Sequence, residues 1–396
     1  MKLKVLVADK FPDKYIQQMK NLDLEVMYEP KLGEKDLPQA AKEVDILIVR
    51  STIVNEETIK NSNKLNLIIR AGSGVNNINI QAANKKGVYV ANCPGMNAVA
   101  VAELAVGLMI SLDRFIPDNV SDFRNSSWNK DKYSKGKGLK GKTLGIIGVG
   151  AIGKEVAKRA LAFEMNVYGK DITRIEGVQI KDFSEMDKLL PLCDIITIHL
   201  PATPDTKGLF NKKLFSYMKN GAYLINTSRQ DVIVEDDLLE AIKEKNLRVA
   251  LDVFKGEPEG KTGEVKSKLQ DNPNIYVTHH IGASTEQAQD AVAQETVNII
   301  NHYIHSGVID HWVNRAKITD VHHQLVVKHF DKPGVLASVL ELLREGDINI
   351  EEIENVIFDG GIAACCTMKL KNAATADMLK KMSENPNVIS VSHVEI

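Results

Sequence analysis

Short apolar runs alternate with polar stretches along the first ninety residues. Residues 3–7, 46–49, 67–69 and 88–90 are dense in Val, Ile and Leu, while 55–62 and 79–86 are polar and helix-like. Apolar runs too short for helices, separated by helical segments, predict a parallel sheet covered by helices. Residues 98–115 form a long, mostly apolar segment, which predicts a helix buried at a domain or subunit contact. A second set of strand-like runs follows at 143–147, 167–170, 195–198, 223–226, 249–251 and 275–277, and a second long helix at 285–305. The two long helices flank the second set. This predicts a discontinuous first domain, 1–97 with 284–315, around an inserted domain, 98–283. A ligand cleft is then expected between the sheets, at the carboxyl ends of their strands.

Past residue 317 the pattern restarts. A strand at 324–328, a turn at 331–334 and an amphipathic helix at 335–345 come first. A hairpin, 355–358 with 363–370, turns on Asp359-Gly360-Gly361, and a helix at 374–383 and a strand at 388–394 complete the segment. That is a βαββαβ order, a ferredoxin-like module over 320–396. The whole reads as an α/β chain: two Rossmann-like, doubly wound parallel-sheet domains and a small C-terminal module without a catalytic constellation.

Composition narrows the class. The 396 residues are 44% apolar and 26% charged, ordinary globular values. A net charge of −2 gives no general attraction to nucleic acid or a membrane surface. The first ten residues read as a strand and not a signal peptide, and no apolar stretch is long enough to span a bilayer. Cys93, Cys193, Cys365 and Cys366 lack zinc or redox spacing, so we expect no metal and free thiols in a cytoplasmic protein.

The run 143–147 leads into Gly148-Val149-Gly150-Ala151-Ile152-Gly153, and 154–164 reads as a helix. Asp171 ends the next apolar run. Strand, glycines, helix, second strand and terminal acid together predict a dinucleotide site. The glycines admit a tight turn and a close-lying pyrophosphate, and the helix N-terminus offers unpaired N–H groups to that anion. Asp171 suits a ribose diol and repels a 2′-phosphate, which favours NAD, although Arg174 lies nearby.

Hydride transfer from a carbinol needs a base for the hydroxyl proton, and His titrates in the right range. His199, His279 and His280 end strands of the cofactor sheet; a packed or capping role is the alternative for each, and the residues alone do not choose. Glu257, in a loop after 249–253, is placed to orient an imidazole. Arg229 leaves another strand end and suits a carboxylate. Asp252 is a candidate acceptor for a nicotinamide carboxamide.

Five stretches resemble the D-isomer-specific 2-hydroxyacid dehydrogenase family. They are the glycine motif, Ile225-Asn226-Thr227-Ser228-Arg229, Ala250-Leu251-Asp252-Val253-Phe254 with Glu257-Pro258, Thr278-His279-His280-Ile281-Gly282-Ala283-Ser284-Thr285, and Asn92-Cys93-Pro94-Gly95 with Ala102-Glu103. The resemblance runs in order through residues 1–315. It implies Arg229 as substrate clamp, Glu257 as the histidine's partner and His280 as acid/base, because in the family the histidine directly precedes Ile-Gly. His279 stands where Pro is usual. NAD is implied as cofactor, held by Gly148, Gly150, Ala151, Ile152, Gly153, Asp171, Pro201, Thr206, Thr227, Asp252 and Gly282.

Arg50-Ser51 and the stretch Arg70 to Asn77 resemble substrate loops of family members that act on 3-phospho-D-glycerate. Asn76 replaces a more usual Asp. This implies backbone of Ser73 and Gly74 on the carboxylate, Arg50 and Arg70 near the phosphate, and Asn97 as a further contact. The stretch 128–142 resembles a segment that can reach a neighbouring subunit's cleft, where Lys130 or Lys132 would add charge. The C-terminal module resembles an ACT regulatory domain, which implies an L-serine effector at a dimer interface, with His329, Asp331 and Asn349 on the positions implied, and a homodimer or homotetramer. The alternatives are another 2-hydroxy acid, such as hydroxypyruvate or glyoxylate, and a low-turnover NAD-sensing protein.

Overall fold

In the computed structural model, which describes residues 2–258, 262–316 and 321–396, the apolar runs pair into three sheets. The first sheet comprises β1 (Lys4–Val7), β2 (Glu25–Tyr28), β3 (Ile46–Val49), β4 (Leu67–Arg70) and β5 (Tyr89–Asn92). All pairs are parallel, in the order β2-β1-β3-β4-β5. Every residue of β3 is buried, as helices on both faces of a parallel sheet require. β2 escaped the sequence pattern because it is an edge strand with no fully buried residue.

The second sheet holds β6 (Thr143–Ile147), β7 (Asn166–Lys170), β8 (Lys181–Asp182), β9 (Ile195–Ile198), β10 (Tyr223–Asn226), β11 (Arg248–Leu251) and β12 (Ile275–Val277). Its order is β12-β11-β10-β9-β6-β7-β8, again parallel. The two sheets reverse their strand order at different places, between β1 and β3 in the first and between β6 and β9 in the second. Sheets of this kind bind ligands at such points, beyond the carboxyl ends of the strands.

The two long helices pack on different sheets. Ala102, Ala105, Leu108 and Met109 of helix Ala98–Arg114 share a core with β6 residues Leu144 and Ile146. Ala293, Val297 and Ile300 of helix Glu286–Ser306 share one with Val5, Val7, Ile46 and Ile48 of the first sheet. Both sheets belong to one compact unit, Met1–Asn314, and Arg315–Ile396 forms the other. The boundary expected at 320 lies outside the described residues.

The C-terminal unit is an antiparallel sheet, β14-β15-β13-β16, of β13 (His323–Phe330), β14 (Ile350–Ile357), β15 (Ala363–Leu370) and β16 (Val388–Glu395). Helices Val335–Glu345 and Ala376–Glu384 cover it, burying Leu325, Val327, Val339, Leu343, Met368 and Met382. The hairpin turns where predicted, with Gly360 and Gly361 at φ 88° and 70°. β14 is twice as long as its apolar pattern suggested. It is an edge strand carrying Glu351, Glu352 and Glu354, and charge on an edge hides a strand from an apolar search.

Candidate active site

The cofactor loop follows from β6. Gly148 has φ +91°, and a Cβ there would lie 2.5 Å from the His199 carbonyl oxygen, so only glycine passes. Around Gly150 nothing lies within 4 Å of a Cβ position; it is the face open to a ligand. A Cβ on Gly153 would overlap the Gly148 carbonyl oxygen, so this glycine seats the helix against the strand. The helix is Ala151–Ala162 and begins three residues earlier than expected. Its N-cap, Gly150, supplies no side-chain acceptor, so the first-turn N–H groups of Ala151, Ile152 and Gly153 are left for an anion.

Asp171, after β7, reaches the same loop. Its Oδ2 accepts from Val149 N–H at 2.6 Å, and its Oδ1 from Thr173 N–H and Oγ1, each at 3.1 Å. Burial opposes its ionisation, but the N–H groups of Thr173 and Val149 hold its carboxyl below the usual range. Thr206 donates to the Pro201 carbonyl at 2.6 Å and closes the loop beyond β9. Glycines that admit close approach, an uncapped helix start and an ionised carboxylate one strand away fit a dinucleotide diphosphate and its ribose.

The catalytic candidates leave the carboxyl edge of the same sheet. Asn226 pairs with Leu251 and Leu251 with Val277, so Thr227, Asp252 and Thr278 start their loops side by side. Asn226 shapes the first loop: its Oδ1 accepts from Ser228 N–H at 3.0 Å and its Nδ2 donates to the Arg229 carbonyl at 3.0 Å. His280 Nδ1 donates to Glu257 Oε2 at 2.8 Å, and Glu257 Oε1 accepts from Phe254 N–H at 2.8 Å. The hydrogen bond to Glu257 raises the His280 pKa above its ordinary value against the effect of burial. Burial works against the Glu257 charge, yet His280 and Phe254 hold its carboxyl below the usual range. His280 has φ +50°, a conformation that costs energy in a non-glycine residue and recurs at functional sites.

Asp252 has a second set of partners within the protein. It is 1% exposed, and its oxygens accept from Thr278 Oγ1 (2.6 Å), Ile281 N–H (2.9 Å) and Gly282 N–H (2.8 Å). The carboxylate fixes the loop that carries His280, and only one lone-pair direction remains for a carboxamide. His199 drops out as a base. Burial pushes its imidazole down to about 3, and its ring is hydrogen-bonded to Thr197 (2.9 Å) and Thr227 (3.5 Å). His279 lines the cleft beside His280.

The facing wall comes from the first sheet. Val49 pairs with Arg70 and Arg70 with Asn92, which sets Arg50, Arg70 and the loop after β5 at one edge. A cleft of about 1710 Å³ is lined by Arg50, Arg70, Gly74, Asn97, Arg229, Glu257 and His280. That exceeds the roughly 300–1000 Å³ of an ordinary small-ligand pocket, room for a cofactor end and an acid together. Burial lowers the Arg70 pKa, and the charges of Arg50 and Arg229 lower it further. The buried Arg70 Nε has no hydrogen-bond partner. Arg229 Nη2 lies where a Cβ on Gly74 would be 2.7 Å away, so the guanidinium rests on the Gly74 backbone. Ser73 Oγ donates to Asn97 Oδ1 at 2.8 Å. Lys132 is taken up by Asp122 at 2.8 Å, and neither it nor Lys130 lines this cleft. Asp9, which the sequence pattern did not single out, lines it at the end of β1.

In the C-terminal unit, His329 is 2% exposed and hydrogen-bonded to the Phe330 carbonyl (2.8 Å) and Asn355 (3.2 Å). Asp331 is exposed just beyond β13. Asn349 is also exposed, its Nδ2 donating to Glu351 at 3.0 Å. The register sets Ile350 against Leu370 and His323 in one row, and His329 against Ala364 at the other end. Six rows at about 3.3 Å separate Ile350 from His329, about 20 Å within one chain, and Asn349 and Asp331 lie one and two residues farther out.

The geometry defines an NAD-linked dehydrogenase site, and comparison with known proteins agrees. Residues 106–282 match the model of the D-isomer specific 2-hydroxyacid dehydrogenase NAD-binding domain. The chain is 33% identical over 390 residues to the D-3-phosphoglycerate dehydrogenase of Methanocaldococcus jannaschii, covering 95% of this chain and 71% of that one. It is 41% identical over 284 residues to the hydroxypyruvate reductase of Thermotoga maritima, covering 71% and 92%. The NAD+-bound 3-phosphoglycerate dehydrogenase of Entamoeba histolytica superposes with a TM-score of 0.67 at 28% identity, covering 80% of this chain and all of that one. The chain belongs to the D-isomer specific 2-hydroxyacid dehydrogenase family, and its second sheet is the family's NAD-binding domain.

Proposed function

We propose that this chain oxidises 3-phospho-D-glycerate at C2 to 3-phosphohydroxypyruvate with NAD, the first step of the phosphorylated route to L-serine. The observation that carries the reading is the convergence of Arg50, Arg70 and Arg229 on one cleft that also contains His280 and Glu257. A substrate with a carboxylate at one end and a phosphate at the other matches three guanidinium groups. When bound, the nicotinamide accepts the hydride from C2. Arg229, with backbone N–H groups of Ser73 and Gly74, orients the carboxylate. His280 takes the C2 hydroxyl proton on Nε2 while Glu257 stabilises the imidazolium through Nδ1. Arg50 and Arg70 hold the phosphate, and Asn97 keeps Ser73 in place.

A second reading, reduction of unphosphorylated hydroxypyruvate, is favoured by the 41% identity to the Thermotoga enzyme. Arg70→Gln separates the two. It raises KM for phosphoglycerate on the order of tenfold or more if a phosphate pairs with the guanidinium, and raises KM for both acids alike if none does.

We also read the division as 1–97 with 284–315, 98–283 and 320–396, supported by the packing of the two long helices. The C-terminal module serves as an oligomerising sensor for L-serine in a cytoplasmic homodimer or homotetramer. Its edge strand exposes Ile353, Val356 and Ile357. With Asn349 at the far end of the sheet from His329 and Asp331, a two-fold pairing of modules would bring the three around one effector. L-serine titration with sedimentation and rate assays tests this.

A further inference from the structure

One carboxylate organises the loop that carries Arg50. Asp9 lies two residues beyond β1 and is 7% exposed. Its Oδ2 accepts three successive main-chain N–H groups, from Arg50 at 2.7 Å, Ser51 at 2.9 Å and Thr52 at 3.0 Å. β1 and β3 are the strands between which the first sheet reverses its order. Asp9 therefore spans the point where such a sheet receives ligands. Although Arg50 and Arg70 line the same cleft, Asp9 forms no ion pair with any described residue. The fixed geometry continues beyond the loop: the Thr52 carbonyl accepts from Asn77 Nδ2 at 2.8 Å, and the Asn77 carbonyl from Val54 N–H at 2.8 Å. These bonds tie the Arg50 loop to the loop that begins at Arg70.

The opposite wall is built alike. Asp252, at the end of β11, holds the His280 loop by three hydrogen bonds. Each sheet thus places one buried carboxylate beyond a strand end, and each carboxylate fixes the neighbouring loop whose side chain enters the cleft. A charged acceptor forms shorter and stronger bonds to N–H donors than a neutral one.

We propose that Asp9 is a positioning residue for anion binding: its carboxylate fixes residues 50–52 so that Arg50 and Arg70 meet the same anionic group of the substrate. The proposal rests on the reading of these arginines as the phosphate side of the cleft. The test is steady-state kinetics of Asp9→Ala and Asp9→Asn with 3-phosphoglycerate and NAD, together with hydrogen exchange of the amides of residues 50–52. Asp9→Ala should raise KM for phosphoglycerate on the order of tenfold while kcat stays within about threefold and KM for NAD does not move. Asp9→Asn retains an oxygen acceptor and should bring KM back to within about threefold of the wild type. Exchange at 50–52 should quicken on the order of tenfold in Asp9→Ala alone. An unchanged KM beside quickened exchange overturns the proposal. So does a joint loss of kcat and NAD affinity with protection lost throughout the first sheet. Absence of wild-type turnover on phosphoglycerate defeats the functional reading and not this one. Asp9 is then judged by whether inorganic phosphate protects 50–52 in the wild type and fails to do so in Asp9→Ala; equal protection in both overturns it.

Discussion

Replacing Glu257 with Gln keeps the size of the side chain and removes the charge that orients His280. The carboxylate now accepts twice, from His280 Nδ1–H and from Phe254 N–H, each at 2.8 Å. A carboxamide has one oxygen for these two donors. If that oxygen stays on Phe254, the amide NH2 faces His280 and selects the tautomer protonated on Nε2, which has no lone pair for the substrate proton. If it turns to His280, its NH2 confronts the Phe254 N–H. A hydrogen bond to a charged partner contributes about 1.5–3 kcal/mol. The His280 side chain is 56% exposed, so solvent screening puts the loss at the lower end. At about 1.4 kcal/mol per factor of ten, kcat should fall by roughly tenfold from the lost charge, and further from the wrong tautomer.

The pH dependence has a definite sign. Oxidation needs neutral His280, and Glu257 raises its pKa, so kcat/KM should climb with pH through a value above 6.5. In Glu257→Gln that limb should move toward lower pH on a lower plateau. The stability from the raised His280 pKa is complete below 6.5 and fades as pH rises through the folded value; that from the lowered Glu257 pKa is complete above 4.5 and fades as pH falls. The Tm difference between wild type and variant should therefore be widest between pH 4.5 and 6.5. Initial rates from pH 5 to 10 decide the matter. A variant with kcat within twofold of wild type and an unmoved limb would refute the orienting role.

Three further substitutions probe the rest of the site. Asp171→Ala should raise KM for NAD on the order of tenfold and narrow the preference over NADP, read from kcat/KM for the two cofactors; an unchanged ratio would remove Asp171 from the ribose. Gly74→Ala puts a Cβ 2.7 Å from Arg229 Nη2 and should raise KM for the acid about tenfold with Tm nearly unchanged, because a flexible guanidinium gives way. Gly153→Ala meets the Gly148 carbonyl, which cannot yield as easily. It should cost about 1–3 kcal/mol of stability and weaken NAD binding, as calorimetry and fluorescence titration would show.

Legibility in the sequence followed burial. The central strands were visible because both faces are covered and their residues are uniformly apolar. The edge strand β2 and the first half of β14 were not, since exposure and charge break that pattern. The glycine motif announced the cofactor loop because each glycine answers a steric demand: a positive φ, an open face, a close helix. From the residues alone, three histidines remained equivalent. Resemblance singled out His280, and the structure adds that burial pushes the His199 pKa down while His280 meets Glu257. Asp252, expected as a cofactor contact, also binds the Thr278 hydroxyl and the amides of Ile281 and Gly282, partners nearly thirty residues away that its own stretch does not announce. Asp9 left no trace, because a lone acid after a strand is ordinary and its three donors lie some forty residues on. The residues expected around L-serine at a dimer interface lie at opposite ends of the sheet in one chain, a separation that strand register reveals.

The most direct test of the account is nicotinamide reduction by the purified protein with NAD and 3-phosphoglycerate, beside D-glycerate and D-lactate. The account predicts a kcat/KM for phosphoglycerate on the order of 10²-fold above the unphosphorylated acids, from two additional guanidinium–phosphate pairs. Equal or faster turnover of an unphosphorylated acid would contradict it.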